Sequence, residues 1–378
     1  MKRTTQLLTF FAVMLLTSLA FAAEPLKIGA LFSVTGPPSF LGEPERNTAQ
    51  MVVDEINKSG GIKGRKLELI TYDTAGDATK AVQLANKLIK DDAVVAIIGP
   101  STTGETMAVI PVVEKEKVPL ISCAAGSKIT DPVKPWVFKT AQNDGLAVAK
   151  IFENLQKNKV SKVAILTVSD GFGASGREQL KNLASNYGIT LVVDDTYGPK
   201  DTDMTAQLTK IRGSEAQAII CWGTNPGPAV IAKNVKQLGI KLPLYMSHGV
   251  SSKKFIELAG DAAEGIILPS GKVIVADQLP ASDPQKGSLV GYVQSYQKLY
   301  GVEGDHFGGH AWDAVNLLKR AIEAGATTRE AIREQLEKSS NVAGIGGVFN
   351  FSSQNHAGLT KDAFVLVRVK GGDWQFLE

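Results

Sequence analysis

The sequence contains little cysteine: Cys123 and Cys221 are the two thiols among 378 residues. A dense disulfide framework is therefore excluded, although in an oxidising compartment this pair could form one disulfide. Each cysteine lies beside an apolar run that is typical of a strand, and this position favours two separately buried thiols instead. No spacing of cysteine and histidine matches a zinc site.

An excess of charge of one sign is also absent. The formal net charge of +3 falls to +1 when Lys2 and Arg3 are removed, which leaves 39 basic and 38 acidic residues. The basic residues are dispersed and form no stripe with interleaved aromatic residues, so we expect no nucleic-acid partner. After residue 23 no run of 18 apolar residues occurs, so we expect no membrane-spanning helix there.

The first 23 residues have the pattern of a secretory signal peptide. Lys2 and Arg3 precede an apolar run over residues 7–16, and Ala20-Phe21-Ala22 places small residues around the cleavage site. A retained anchor is the alternative, but the apolar run is short and no stop-transfer pattern follows it. Because no cysteine lies near the cleavage site, we expect no lipid anchor and a soluble mature protein in the periplasm.

The rest of the chain alternates short β-branched apolar runs with amphipathic helical segments. This alternation occurs once over residues 27–122 and again over residues 145–222. Strands that alternate with helices of 10–15 residues predict parallel sheets covered on both faces. We therefore expect an α/β fold with two lobes, and since no Pro/Gly-rich linker separates them, we expect several crossings between the lobes.

One motif favours an enzyme. Gly171, Gly173 and Gly176 form G-x-G-x-x-G at the start of a predicted helix, and Asp194 and Asp195 follow about twenty residues later, as in a dinucleotide site. However, two residues separate the strand from the first glycine, and an exported protein meets little dinucleotide. We interpret the glycines as a turn that frees a helix N-terminus. With no acid–base pair and no nucleophile beside a histidine, we expect neither catalysis nor a cofactor.

Two other loops have the composition of an anion site. Residues 101–104, Ser-Thr-Thr-Gly, lie between a predicted strand and a helix, and residues 123–127 follow the next strand. Unpaired N–H groups and the dipole at a helix N-terminus attract anions, and small residues let ligand atoms approach the main chain. Helix capping is the other role for these residues, and the two roles do not exclude each other.

His306 and His310 are spaced so that both imidazoles could share one face of a helix and bind a metal. Gly308 and Gly309 lie between them and are expected to weaken that helix. A third ligand is not evident, so we expect no metal site.

Several stretches resemble a known family. They are residues 26–31, 33–37, 60–69, 72–73, 97–100 and 312–315. Together they resemble the leucine/isoleucine/valine-binding family of periplasmic proteins, the type I solute receptors of ABC importers. The glycine-rich turn at residues 60–69 is the most specific of them.

The resemblance implies a type I periplasmic binding protein fold, in which two Rossmann-like lobes are joined by a three-crossing hinge. The implied crossings lie near residues 142, 270 and 357. The N-terminal lobe would comprise residues 24–142 and 270–356, and the C-terminal lobe residues 143–269 and 357–378. The resemblance also implies a monomer that binds a small carboxylate ligand between its lobes and delivers it to an inner-membrane ABC permease. A sensory ligand-binding subunit is a third possibility.

The resemblance further implies a set of ligand-binding residues. Thr103 matches the hydroxyl residue that reaches the ligand carboxylate, and Ala124 and Gly126 match main-chain contacts on either side of Ala125. Aromatic and apolar residues would form the walls, with core packing as the alternative role for Phe172 and Phe307. The set is Leu41, Thr102, Thr103, Ala124, Ala125, Gly126, Phe172, Thr224, His248 and Phe307.

The sequence departs from the family at residues 247–250, Ser-His-Gly-Val. Amino-acid receptors of the family carry an acidic residue there, which neutralises the ligand ammonium. An ammonium buried without an anion is costly, and a neutral His248 supplies no charge. Two ligand classes therefore stay open: a branched-chain or other amino acid, and an amine-free organic acid such as an aromatic or keto acid.

Overall fold

The computed structural model describes residues 24–377 and divides their main strands between two sheets. The first sheet has the order β2-β1-β3-β4-β5, and every pair of neighbouring strands in it is parallel. Its strands are β1 (Leu26–Phe32), β2 (Leu67–Asp73), β3 (Ala96–Ile98), β4 (Leu120–Ser122) and β5 (Val137–Lys139). Alternate residues of β1 point to opposite faces, so both faces of this sheet are buried under helices.

The second sheet has the order β14-β13-β10-β9-β8-β6-β7 and is mixed. The pairs from β10 to β7 are parallel, whereas β13 pairs antiparallel with both β10 and β14. Two glycines with positive φ, Gly371 and Gly372, join β13 to β14, and so short a turn allows only an antiparallel pair. The strands are β6 (Lys162–Val168), β7 (Thr190–Tyr197), β8 (Ala218–Trp222), β9 (Leu244–Met246), β10 (Ile267–Gly271), β13 (Phe364–Lys370) and β14 (Asp373–Phe376).

Helices cover both sheets. Those around the first sheet are α1 (Ser39–Lys58), α2 (Ala78–Lys90), α3 (Thr103–Glu116), α9 (Lys286–Tyr300), α10 (His306–Glu323) and α11 (Arg329–Glu337). Those around the second are α4 (Asp144–Lys157), α5 (Gly171–Ala184), α6 (Thr205–Arg212), α7 (Gly227–Gln237) and α8 (Lys253–Ala259). A small hairpin of β11 (Val342–Ala343) and β12 (Val348–Phe349) packs beside α10. In the part of the chain that the structure describes, no helix has both the length and the apolar character that a membrane span needs.

The chain passes from one lobe to the other between β5 and α4, after β10, and between β12 and β13. The predicted α/β class with two lobes is therefore confirmed, whereas the sequence pattern missed β5 and the antiparallel edge of the second sheet. The predicted boundaries of the two lobes, and their movement relative to each other, stay predictions. The predicted signal peptide lies outside the described residues.

The three glycines of the G-x-G-x-x-G motif lie within α5, which begins at Gly171. A Cβ at Gly173 would lie 1.7 Å from the carbonyl oxygen of Val168, and one at Gly176 would lie 2.1 Å from Nε1 of Trp222. The glycines therefore let α5 pack against the end of β6 and over a buried indole. The predicted turn is corrected to the first turns of a helix, whose N-terminus does face the other lobe.

Gly176→Ala should destabilise the protein because the new methyl group would overlap Trp222. Overpacking of this kind costs about 1–3 kcal/mol of the free energy of unfolding. Gly291→Ala is the matched control, since Gly291 is exposed in α9 and a Cβ there meets no atom within 4 Å. That change should stabilise the protein by about 0.5–1 kcal/mol. Urea unfolding measures both, and shifts of the same sign would contradict the packing role of Gly176.

Candidate functional site

A cavity of about 330 Å³ lies between the two lobes. The N-terminal lobe lines it with the start of α1, the loop before α3 and the loop after β4. The C-terminal lobe contributes the start of α5 and the segments that follow β8 and β9, and the first turns of α10 complete the wall. Loops at the carboxyl ends of parallel strands are where α/β proteins bind ligands, and this volume suits a small molecule.

Nine of the ten predicted ligand-binding residues lie in the wall of this cavity. They are Leu41, Thr102, Thr103, Ala124, Ala125, Phe172, Thr224, His248 and Phe307. Gly126 does not line the cavity: its N–H donates to Oγ1 of Thr103 at 3.3 Å, and a Cβ there would lie 2.4 Å from the Thr103 methyl group. Gly126 thus supports Thr103, and its expected contact with the ligand stays a prediction.

Two helices from opposite lobes begin at the cavity. α3 begins at Thr103 in the N-terminal lobe, and α5 begins at Gly171 in the C-terminal lobe. A Cβ on Gly171 would lie 3.1 Å from the backbone nitrogen of Gly104, so the two N-termini are in contact. First-turn N–H groups lack partners within their helix, and each dipole is positive at this end. Together the two ends form a site that favours an anion.

The two lobes also touch beside the cavity. The N–H of Ser127 donates to Oγ of Ser175 at 3.0 Å, and that hydroxyl donates to Oδ2 of Asp144 at 2.5 Å. Nearby, Lys128 and Glu178 form an exposed ion pair at 2.6 Å. These contacts link the two lobes beside the cavity.

Lys139 supports the loop after β4 from inside the protein. Its side chain is fully buried, and its Nζ donates to the carbonyl oxygen of Ala125 at 2.6 Å. Burial lowers the pKa of Lys139 to about 8 and raises the pKa of Asp144 to about 6, while the opposite charge of the partner works against each shift. The sequence pattern did not indicate Lys139, because this residue ends a strand of three residues, β5, that shows no periodicity.

The sequence pattern did not indicate the carboxyl groups in the cavity wall. Among the residues that the structure describes, three carboxyl groups line the cavity: Glu45, Glu105 and Asp170. Each already accepts a hydrogen bond, from Ser101 to Glu45, from Thr102 to Glu105 and from the N–H of Gly173 to Asp170. Burial raises the pKa of Glu45 well above its usual range.

Three histidines, His248, His306 and His310, line the cavity and are here named the histidine floor. His306 and His310 share a face of α10 with ring centroids 4.5 Å apart, and the helix runs through Gly308 and Gly309. Close packing requires glycine here despite its low helix propensity: a Cβ at Gly308 would lie 2.2 Å from Oη of Tyr292. Among residues 24–377 no group of three or more candidate ligands surrounds a metal position.

Both cysteines are free and buried, which excludes the disulfide alternative. Cys123 lies in the cavity wall and Cys221 lies in β8 of the other lobe. Burial raises the pKa of Cys221 to about 12 and that of Cys123 well above its usual range. Both are therefore unreactive thiols in the folded protein.

Comparisons with known proteins agree with this architecture. Residues 25–373 match the model of a family described as periplasmic binding protein. A Leu/Ile/Val-binding protein of Rhizobium johnstonii is 28% identical over 365 residues, which cover 95% of this chain and 96% of that protein.

Solved structures with the same fold extend over nearly the whole chain. An extracellular ligand-binding receptor from Rhodopseudomonas palustris HaA2 has a TM-score of 0.87 and 28% identity, covering 93% of this chain and 99% of its own. The branched-chain amino acid transporter substrate-binding protein of Streptococcus pneumoniae, solved in complex with isoleucine, has a TM-score of 0.82 and 25% identity, covering 93% and 98%.

Proposed function

Because this chain belongs to the periplasmic binding protein family, we propose that it is the substrate-binding protein of an ABC importer. In this role it works in the periplasm, captures a small carboxylate in the cavity between its lobes and delivers it to an inner-membrane permease. Its relatives are binding proteins, and in this role the protein catalyses no reaction.

The observation that carries the proposal is the meeting of two helix N-termini, one from each lobe, at the cavity. The hydroxyl of Thr103 lies at the start of α3 and adds a donor for a carboxylate, whereas that of Thr102 already donates to Glu105. An anion between the two ends gains contacts with both lobes at once, whereas in an open form it would contact one. A ligand with this difference in affinity shifts the population toward the closed form.

Two ligand classes fit this site. The Rhizobium relative is named for leucine, isoleucine and valine, and the Streptococcus structure holds isoleucine, so a branched-chain amino acid is the first candidate. An amine-free acid is the second, and His248 favours it. Burial lowers the pKa of His248 well below its usual range, so a neutral ring stands where a ligand ammonium needs a negative charge.

A thermal-shift screen tests the proposal. In a panel of leucine, isoleucine, valine, their 2-oxo acids and other amine-free aromatic, oxo and aliphatic acids, we expect at least one acid to raise the melting temperature, because a ligand at 100 times its Kd stabilises the protein by about 2.7 kcal/mol. The methyl esters of the same compounds should have no effect, since they lack the anion. Esters as effective as the acids would refute the carboxylate site, and a protein that no acid stabilises would refute the function.

Thr103→Val should lower the affinity for the best acid by about tenfold or more, because it keeps the shape and removes a hydroxyl donor to a charged group. Thr106→Val is the matched control, since this buried threonine lies in the same helix and bonds Ser122 at 2.8 Å instead. Isothermal titration calorimetry of both variants gives the comparison. Equal affinities in the two variants would remove Thr103 from the carboxylate site.

A further inference from the structure

We infer that the histidine floor recognises a second polar group of the ligand, a hydroxyl or carbonyl oxygen, and that the substrate is an amine-free carboxylic acid with such an oxygen remote from its carboxylate. This inference rests on the proposed function and assigns the substrate class and specificity-determining residues. It is carried by the placement and unmet hydrogen bonding of His248, His306 and His310.

Four ring nitrogens of the histidine floor have no hydrogen-bond partner among the described residues. These are both nitrogens of His248, Nε2 of His306 and Nδ1 of His310. The three side chains are nevertheless almost completely buried, with exposures of 3%, 2% and 2%. Buried polar atoms in folded proteins nearly always find a partner. Because all three residues line the cavity, its contents are the available partner.

The floor lies at the hinge end of the cavity. Nδ1 of His306 would be 2.4 Å from a Cβ on Gly271, which ends β10 where the chain leaves the second sheet. Oγ1 of Thr140, in the segment between β5 and α4, donates to the carbonyl oxygen of His310 at 2.9 Å. A ligand held by the two helix N-termini can thus contact the hinge segments through these rings.

The rings are positioned by packing. His248 meets Phe172, Trp222 and Phe364 edge to face, with ring centroids 5.3–5.8 Å apart across this cluster. Its Nε2 lies 3.6 Å from Oδ1 of Asp144, which is too long for a hydrogen bond. Aromatic packing therefore fixes the ring and leaves its nitrogens available, which is the arrangement that a rigid specificity site requires.

The chemistry of the floor selects the second group. Burial lowers the pKa of His306 to about 4 and those of His248 and His310 well below their usual range, so all three rings are neutral near pH 7. A neutral imidazole offers one donor and one acceptor. A hydroxyl can use both and a carbonyl can use the donors, whereas the three neutral rings offer no negative charge to an ammonium and no positive charge to a second carboxylate.

Matched acids test the inference in the wild-type protein. The probes are pentanoate with 5-hydroxypentanoate and 4-oxopentanoate, benzoate with 4-hydroxybenzoate, and glutarate and leucine for the charged alternatives. In at least one series the hydroxyl or oxo acid should bind about tenfold or more tightly than its unsubstituted partner, since the latter leaves buried nitrogens unpaired. Tighter binding of glutarate or leucine than of every oxygenated probe would overturn the inference.

Variants of the three histidines then test which side chains cause the preference for an oxygenated acid. His248→Phe, His306→Phe and His310→Phe should each reduce the ratio of the two Kd values toward one while the unsubstituted acid still binds. The glutamine variants at the same positions, which keep a donor and an acceptor, should retain part of the ratio. His356→Phe is the control, because this buried histidine stacks on Phe138, bonds backbone carbonyl groups and lies outside the cavity wall.

The outcomes separate the two proposals. Acids that bind without preference for an oxygen, or a preference that survives all three phenylalanine changes in folded protein, would overturn the inference and leave the receptor function standing. Binding of no acid at all would overturn both. Circular dichroism establishes folding, and the glutamine variants replace any phenylalanine variant that does not fold.

Discussion

Gly171→Trp is expected to lower ligand affinity at least 100-fold, a loss of about 2.8 kcal/mol in binding free energy. Gly171 is the first residue of α5, and even a Cβ there would lie 3.1 Å from the backbone of Gly104 in the other lobe. An indole must therefore occupy space that the N-terminal lobe fills when the cavity is closed. The carboxylate then loses the contacts of one helix N-terminus.

The indole of Gly171→Trp should prevent closure and leave each lobe folded, because Gly171 is exposed at the surface of the C-terminal lobe. Gly171→Ala is the size control, with a single methyl group that a shift of a few tenths of an ångström accommodates. We expect it to bind within a few-fold of wild type. Calorimetric titration of both variants measures the difference, and a tryptophan variant that binds as tightly as the alanine variant would show that closure is not needed.

Asp313→Ala is expected to lower the free energy of unfolding by about 2–5 kcal/mol. The two carboxyl oxygens of this buried residue in α10 accept hydrogen bonds from the N–H groups of Ile345 at 2.6 Å and Gly346 at 2.7 Å. Each N–H left buried and unpaired costs about 1–3 kcal/mol. Gln142, next to the first crossing, donates to the carbonyl oxygen of Gly346, so Asp313 stabilises the segment beneath the hinge.

Comparing the stability of wild type and Asp313→Asn at different pH values shows whether protonation of Asp313 stabilises the folded protein. Burial raises the pKa of Asp313 to about 8, whereas an unfolded aspartate has a pKa near ~3.9. Between these values the folded protein holds a proton that the unfolded chain releases. The stabilising contribution is therefore present at low pH and is lost as the pH rises toward 8.

Urea unfolding at pH 5.5 and 7.5 tests that sign. Over these two pH units the stability of wild type should fall by roughly 2–3 kcal/mol more than that of Asp313→Asn, because other titrating groups are common to both proteins. Alanine at position 313 should be much less stable than asparagine, which keeps an acceptor oxygen. A difference between wild type and Asp313→Asn that does not change with pH would contradict a raised pKa.

Long periodic segments of the sequence predicted most of the fold. β6 and β8 are continuous apolar runs, and the helices around the first sheet show the helical period, so the α/β class was predicted correctly. The family was predicted from the resemblance of separate stretches such as residues 60–69, and the family model confirms it. β5 was missed because three residues ending in Lys139 carry no pattern. α10 continues through Gly308 and Gly309 because packing against Tyr292 favours the glycines that weaken an isolated helix.

The site was predictable where it follows strands directly. Thr103 and Ala124 follow β3 and β4 within five residues, and sheet topology alone brings such loops together. Glu45 lies on α1 and His310 on α10, and only the packing of those helices brings them to the cavity. No local pattern reports that placement. Whether the predicted residues bind ligand stays a prediction for the experiments above.

Closure of two lobes over a small carboxylate is the central claim, and small-angle X-ray scattering of residues 24–378 tests it most directly. The ligand is whichever acid the thermal-shift screen identifies, added in excess over its Kd. The account predicts that the acid decreases the radius of gyration and that its methyl ester leaves it unchanged. An acid that binds with full occupancy and leaves the radius of gyration of the free protein unaltered would contradict it.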